Sequence, residues 1–168
     1  MSLSLNIARS YRRPDLVVRA MVQQGLREPQ VLFFNALACG LIFVAQWPRL
    51  SREATLDPSV TFEQRMGGAL FAVIFLLPLI LYGLAALLQV VLRVARVNVP
   101  GIRVRLVLFW SLLAVTPLML VHGGLQAFMG PVGAVQAFGF VVAAAFIYIT
   151  GRGLREVVRL GPSGADTP

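Results

Sequence analysis

"GGALFAVIFLLPLILYGLAALLQVVL", residues 67 to 92, contains no Asp, Glu, Lys or Arg. At about 1.5 Å of rise per residue, an α-helix of this length exceeds the roughly 30 Å hydrocarbon core of a bilayer. No face of it is polar, so the solvent it fits is lipid. Three further runs also lack Asp, Glu, Lys and Arg: Val31 to Trp47, Leu106 to Leu125 and Val132 to Thr150. The first is short for a span, and Trp47 completes it with an indole suited to the headgroup level. The run at 67 to 92 is generous and is expected to tilt or bend. A closed β-barrel is the other backbone arrangement that lipid accepts, but its ten-residue strands of alternating polarity are absent.

Composition agrees with this reading. Of 168 residues, 58% are hydrophobic and only 13% are charged, against about a quarter in soluble domains. The expected fold class is an all-α membrane protein: four transmembrane helices in a compact bundle, with an N-terminal amphipathic interfacial helix. Residues 1–30 form a cytoplasmic N-terminus, 31–150 a four-span membrane domain and 151–168 a cytoplasmic tail with a disordered end.

All fifteen basic residues are arginine, a usage expected of a GC-rich genome. With four spans, the N-terminus, the second connection and the tail share one side. That side collects Arg9, Arg12, Arg13, Arg19, Arg27, Arg93, Arg96, Arg103, Arg105, Arg152, Arg155 and Arg159, leaving Arg49, Arg52 and Arg65 for the other. The positive-inside rule puts both termini and the 93–105 connection in the cytoplasm. Arg93, Arg96, Arg103 and Arg105 are therefore read as topology determinants that hold anionic headgroups rather than as a nucleic-acid patch. "VNVPGIRVR" within this connection alternates in polarity around Pro100 and Gly101, so a small hairpin or extended loop stays open.

Near the N-terminus, Pro14 and Asp15 suit the start of a helix. Winding 16 to 27 puts Val17, Val18, Met21, Val22 and Leu26 on one side and Arg19, Gln23, Gln24 and Arg27 on the other. Such a helix either lies in the membrane interface or packs on the bundle. No cleavable signal is expected, because residues 14 to 30 are polar at intervals. In the first connection, Asp57 and Pro58 are expected to cap and start the second spanning helix. The third, ending in Gly130 and Pro131, reads as a tight turn.

Chemistry is sparse. Cys39 is alone and reads as a small buried residue. The spans hold no carboxylate, and Ser111 has no adjacent base. No catalytic residue, metal site or cofactor site is expected, and an enzyme is not the reading. His122, the only histidine, lacks companions at ligand spacing; the glycines after it suggest a helix leaving the bilayer, with the imidazole hydrogen-bonded near the interface. Asn35, Gln46, Gln89, Gln126 and Gln136 offer hydrogen bonds between helices. Ala36 with Gly40, and Gly139 with Ala143, offer small-residue packing. Pro78 and Pro117 should kink the second and third spans or pack against each other's freed carbonyls.

The segment "PLILYGLAALLQVVLRVARVNVPGIRVRLVLFWSLLAVTPLMLV", 78 to 121, resembles the centre of the Yip-type integral membrane family, with Tyr82, Arg105, Phe109, Trp110 and Pro117 at matching places. "QWPRLSREATLDPS" is similar to its bacterial branch. The chain departs from the family in having Pro100 and Gly101 where paired glycines are usual, and four spans where eukaryotic relatives have five. The resemblance implies a bacterial inner-membrane, multi-pass protein without catalytic residues, acting through other membrane proteins or copies of itself. The family's eukaryotic members act in vesicle traffic with small GTPases. The rival expectation is a small transporter or permeation subunit whose site lies between the Pro78 and Pro117 kinks, lined by Gln89, Gln126 and His122.

Overall fold

Caps, more than hydropathy, set where the helices begin and end. The computed structural model describes residues 3–130 and 132–161, and these form helices without any strand. The expected disorder of the extreme C-terminus and the placement of Pro131 lie outside the described residues. Two short helices, α1 (Leu3–Arg12) and α2 (Pro14–Gln23), precede α3 (Glu28–Leu56). Next come α4 (Phe62–Phe71), a π-turn (Ala72–Leu76) and α5 (Leu77–Val94), which together make one spanning helix. The chain ends in α6 (Gly101–Met129) and α7 (Gly133–Leu160). Four helices are thus long and apolar enough to cross a membrane, as the four runs predict.

Each spanning helix is longer than its apolar run. At the start of α3 the Gln30 side chain accepts from the Arg27 N–H at 2.9 Å, closing one donor that a helix N-terminus leaves open. The same helix continues through Pro48 to Leu56, carried past the proline by helix-forming residues and the Arg49–Glu53 pair at 2.8 Å. Consequently Asp57 does not start the next helix. It ends α3 instead, and its carboxylate accepts from the Ser59 hydroxyl at 2.5 Å, the Ser59 N–H at 3.1 Å and Arg65 at 2.9 Å. The Ser59 hydroxyl first, then its N–H and Arg65, hold this carboxyl below the usual carboxylate range. Thr61 is the cap of α4, exchanging hydrogen bonds of 3.3 Å with Gln64 in a capping box.

The open question over 93–105 resolves without a hairpin. Helix α5 ends in a Schellman turn, with Arg96 N–H on Arg93 carbonyl at 2.9 Å and Val97 N–H on Leu92 carbonyl at 2.8 Å. Arg96 takes the left-handed position, φ 58°, where glycine would be the low-cost residue. Pro100 then caps α6, so Arg103 and Arg105 belong to the first turns of that helix.

Helix α6 is the hub. Every residue from Leu106 to Thr116 is buried, as a helix apolar on all faces requires. Of its most apolar window 67% is buried, against 28%, 17% and 22% for the spans Glu28–Leu56, Phe62–Val94 and Gly133–Leu160. Helix α3 lies along one side of α6 and α7 along another, while the Phe62–Val94 helix stands at the edge. Of the two positions the N-terminal wheel allows, α2 takes the packed one: Val17, Val18 and Met21 are buried against α6 and α7.

The two prolines are accommodated locally. Pro117 is exposed on α6, and the Leu113 carbonyl it frees accepts from the Thr116 hydroxyl at 2.8 Å. Pro78 is met by the π-turn just before it, which widens the helix where the ring would press on the preceding turn.

Candidate functional site

Two places concentrate polar groups, one at each end of the bundle. At the arginine-rich end, the four arginines of the second connection divide into two kinds. Arg93 and Arg96 are exposed and have no acid partner among the described residues. Arg103 is buried, and its guanidinium donates to the Gly161 carbonyl at the end of α7. Arg105 pairs with Glu28 at the start of α3. Only the first pair is free to hold headgroups; the second ties α6 to its neighbours.

Helices α1 and α2 are built into this end. The Trp110 indole N–H donates to Ser10 Oγ at 2.9 Å, and that hydroxyl donates to the Asn6 carbonyl at 2.8 Å. The Tyr11 hydroxyl donates to the Ala114 carbonyl at 2.5 Å. Burial pushes the Tyr11 phenol up, which keeps it a donor. Along α2, Arg19 pairs with Glu156 at 2.7 Å and Asp15 with Arg152 at 3.3 Å, so α2 runs beside the last turns of α7. Glu156 is 3% exposed, and Arg19 is what keeps that carboxylate paired. Gly153 makes room for the contact: a Cβ there would meet Val107 at 2.8 Å and Val18 at 3.2 Å.

Of the residues that carry the family resemblance, Tyr82, Phe109 and Trp110 lie around the same core. Tyr82 meets Phe109 edge-on, centroids 5.2 Å apart, and Trp110 meets Phe34 edge-on at 5.3 Å. Both are favoured aromatic geometries.

At the other end, His122 and Gln126 come together in a cleft of about 450 Å³ between α3, α6 and α7. The Gln126 amide nitrogen lies 2.9 Å from His122 Nε2. Which of the two donates depends on the imidazole tautomer, and the other ring nitrogen, Nδ1, is buried without a partner among the described residues. The ring stacks on Phe138 at 5.9 Å and rests against Gly139. Gln46 and Arg49 complete the polar lining; Arg49 is neutralised by Glu53. Such a lining can hold an uncharged ligand with a few hydrogen-bonding groups, and it offers no activated nucleophile.

Gln89, Pro78 and Pro117 are absent from this cleft. The Gln89 amide instead fills the space beside Gly101, where a Cβ would lie 2.7 Å from its Oε1. That is the opposite end of α6, roughly 30 Å of helix away from His122. The expected grouping of Gln89 with His122 and Gln126 therefore does not form.

Sequence reasoning missed a close backbone approach. A Cβ on Gly123 would lie 1.9 Å from the Ala45 carbonyl oxygen, so α3 and α6 touch backbone to backbone there. Gly123 reads in sequence as the exit of a span, yet α6 continues to Met129. The proposed small-residue pair Ala36 and Gly40 is exposed, with nothing near Gly40. Asn35 is buried and meets Cys39 of its own helix at 3.8 Å. No group of three or more His, Cys, Asp or Glu among the described residues is placed to hold a metal ion.

Compared with known proteins, the chain matches no family model, no curated protein and no solved structure.

Proposed function

We propose that the chain is a bacterial inner-membrane protein of Yip type that acts by contact rather than catalysis, organising a membrane assembly with other membrane proteins or copies of itself. One observation carries this reading. The spanning helix Phe62–Val94 is only 17% buried over its most apolar window and presents Phe71, Phe75, Leu79 and Ile80 outward. Phe71 and Phe75 already pack on each other at 5.4 Å, forming an aromatic ridge that a partner helix can grip. The resemblance at 78 to 121 supports the family, and the arginine distribution supports cytoplasmic termini.

A photo-crosslinking side chain placed at Phe75 in native membranes is expected to give one discrete protein adduct, a second copy or another chain. The same probe at Phe140, exposed on α7, serves as the reference. Lipid adducts alone at both positions would overturn the interaction role. For orientation, a reporter after Pro168 is expected to read the cytoplasm and one inserted beside Asp57 the opposite side; identical readings would refute the assigned topology.

A further inference from the structure

Three features of the bundle could hold a ligand: the unpaired hydroxyl of buried Ser111, the His122 cleft, and the space between α1 and α2. Ser111 has no room beside it for a ligand among the described cavities, and the His122 cleft belongs to the site already described. The third feature carries an inference of its own.

Helices α1 and α2 fold back on each other at Arg13 and enclose an open cleft of about 760 Å³. Leu5, Leu16 and Met21 line its apolar side, and Arg9, Arg12 and Arg13 line its polar side. Leu5 and Leu16 remain 47% and 46% exposed, unusual for leucines in a packed hairpin. The three arginines have no acid partner among the described residues, whereas nearby Arg19 and Arg152 are matched to Glu156 and Asp15. Positive charge and apolar surface are thus left together, uncovered, in one concave place.

Asp15 reaches Arg152, two residues past the end of the apolar run at Thr150, and Tyr11 reaches Ala114 inside the run Leu106 to Leu125, so the corner of the hairpin lies across the boundary of the apolar bundle. The hairpin is also held in place before any ligand arrives, by Ser10 on Trp110 and Tyr11 on Ala114. Guanidinium forks match phosphate oxygens two at a time, and the leucine side suits an acyl chain.

We infer that this cleft binds one anionic phospholipid, with the phosphate held by Arg9, Arg12 and Arg13 and an acyl chain along Leu5, Leu16 and Met21. The site differs from general attraction to a charged leaflet because it is concave, saturable and has an apolar half. It does not depend on the interaction role of the Phe62–Val94 helix.

The test titrates the full-length protein in a neutral detergent with short-chain phosphatidylglycerol and counts bound lipids by native mass spectrometry. One phosphatidylglycerol per chain is expected, with phosphatidylcholine bound far more weakly. Arg12→Gln with Arg13→Gln should weaken binding about thirtyfold, from two exposed charges near a phosphate. Arg155→Gln with Arg159→Gln removes the same charge from exposed positions of α7 outside the cleft and should leave binding unchanged. Ala8→Trp, at an exposed position lining the cleft, should obstruct the apolar side and reduce binding without altering charge. Equal losses in the two arginine pairs, unsaturable uptake, equal affinity for phosphatidylcholine, or indifference to Ala8→Trp would each overturn the site.

Discussion

Gly123→Leu is expected to take α3 off α6. A Cβ at this position would stand 1.9 Å from the Ala45 carbonyl oxygen and 2.9 Å from its carbon, and both atoms belong to backbone that cannot rotate aside. In lipid, helices gain nothing by hiding apolar surface from one another, so close packing is the main force between them. Overpacking costs about 1–3 kcal/mol where side chains can yield; here the helix axes themselves must separate, and the loss should exceed that range. Thermal unfolding in detergent measures it. Gly124→Leu is the control, since nothing lies within 4 Å of a Cβ there. Equal tolerance of the two leucines would show that the backbone contact does not exist.

Trp110→Ala is expected to be the second most damaging change and to act on a different part. Trp110 is fully buried, stacks edge-on with Phe34 and holds Ser10. Truncating a buried aromatic of this size costs about 3–5 kcal/mol. The specific consequence is release of α1, read as faster tryptic cleavage after exposed Arg9 and Arg12 in the otherwise folded protein. Trp110→Phe separates the two contributions. It keeps an aromatic ring but loses the indole N–H and part of the buried volume, so it should cost less than Trp110→Ala while still loosening α1. If Trp110→Phe leaves cleavage unchanged, the Ser10 bond is not what anchors the helix.

The spans were legible because lipid imposes a simple rule: an ionisable side chain inside the hydrocarbon is expensive, and Gly67 to Leu92 has none. The ends were less legible. Asp57 looks like a cap in sequence, but Thr61 and Gln64 can bond reciprocally and Asp57 cannot, being engaged with Ser59 and Arg65. Helix α1 was missed since its mixed sequence, "LSLNIARSYR", gains stability from Trp110 and Ala114, about a hundred residues away. Gly123 has a second property that local rules do not show: a glycine near the end of an apolar run signals an exit, and only the position of Ala45 shows this one to be a crossing point as well. His122 was read as hydrogen-bonded and is so, although its partner Gln126 lies one turn along the same helix.

The π-turn at Ala72–Leu76 adds a residue to one turn of an otherwise α-helical span. Before it, α4 looks toward α3, as does the turn itself with buried Val73; after it, Leu81 and Ala85 look toward α6. The widened turn works as a phase shifter, letting one rod address two neighbours that a uniform helical pitch would not face in turn. Deleting a single residue there would rotate everything downstream by about 100°, pointing Leu81 and Ala85 away from α6 while leaving hydropathy untouched. Length in this segment is therefore constrained independently of composition. A point substitution among its exposed aliphatics is absorbed by lipid, whereas a one-residue insertion or deletion is a change of gearing.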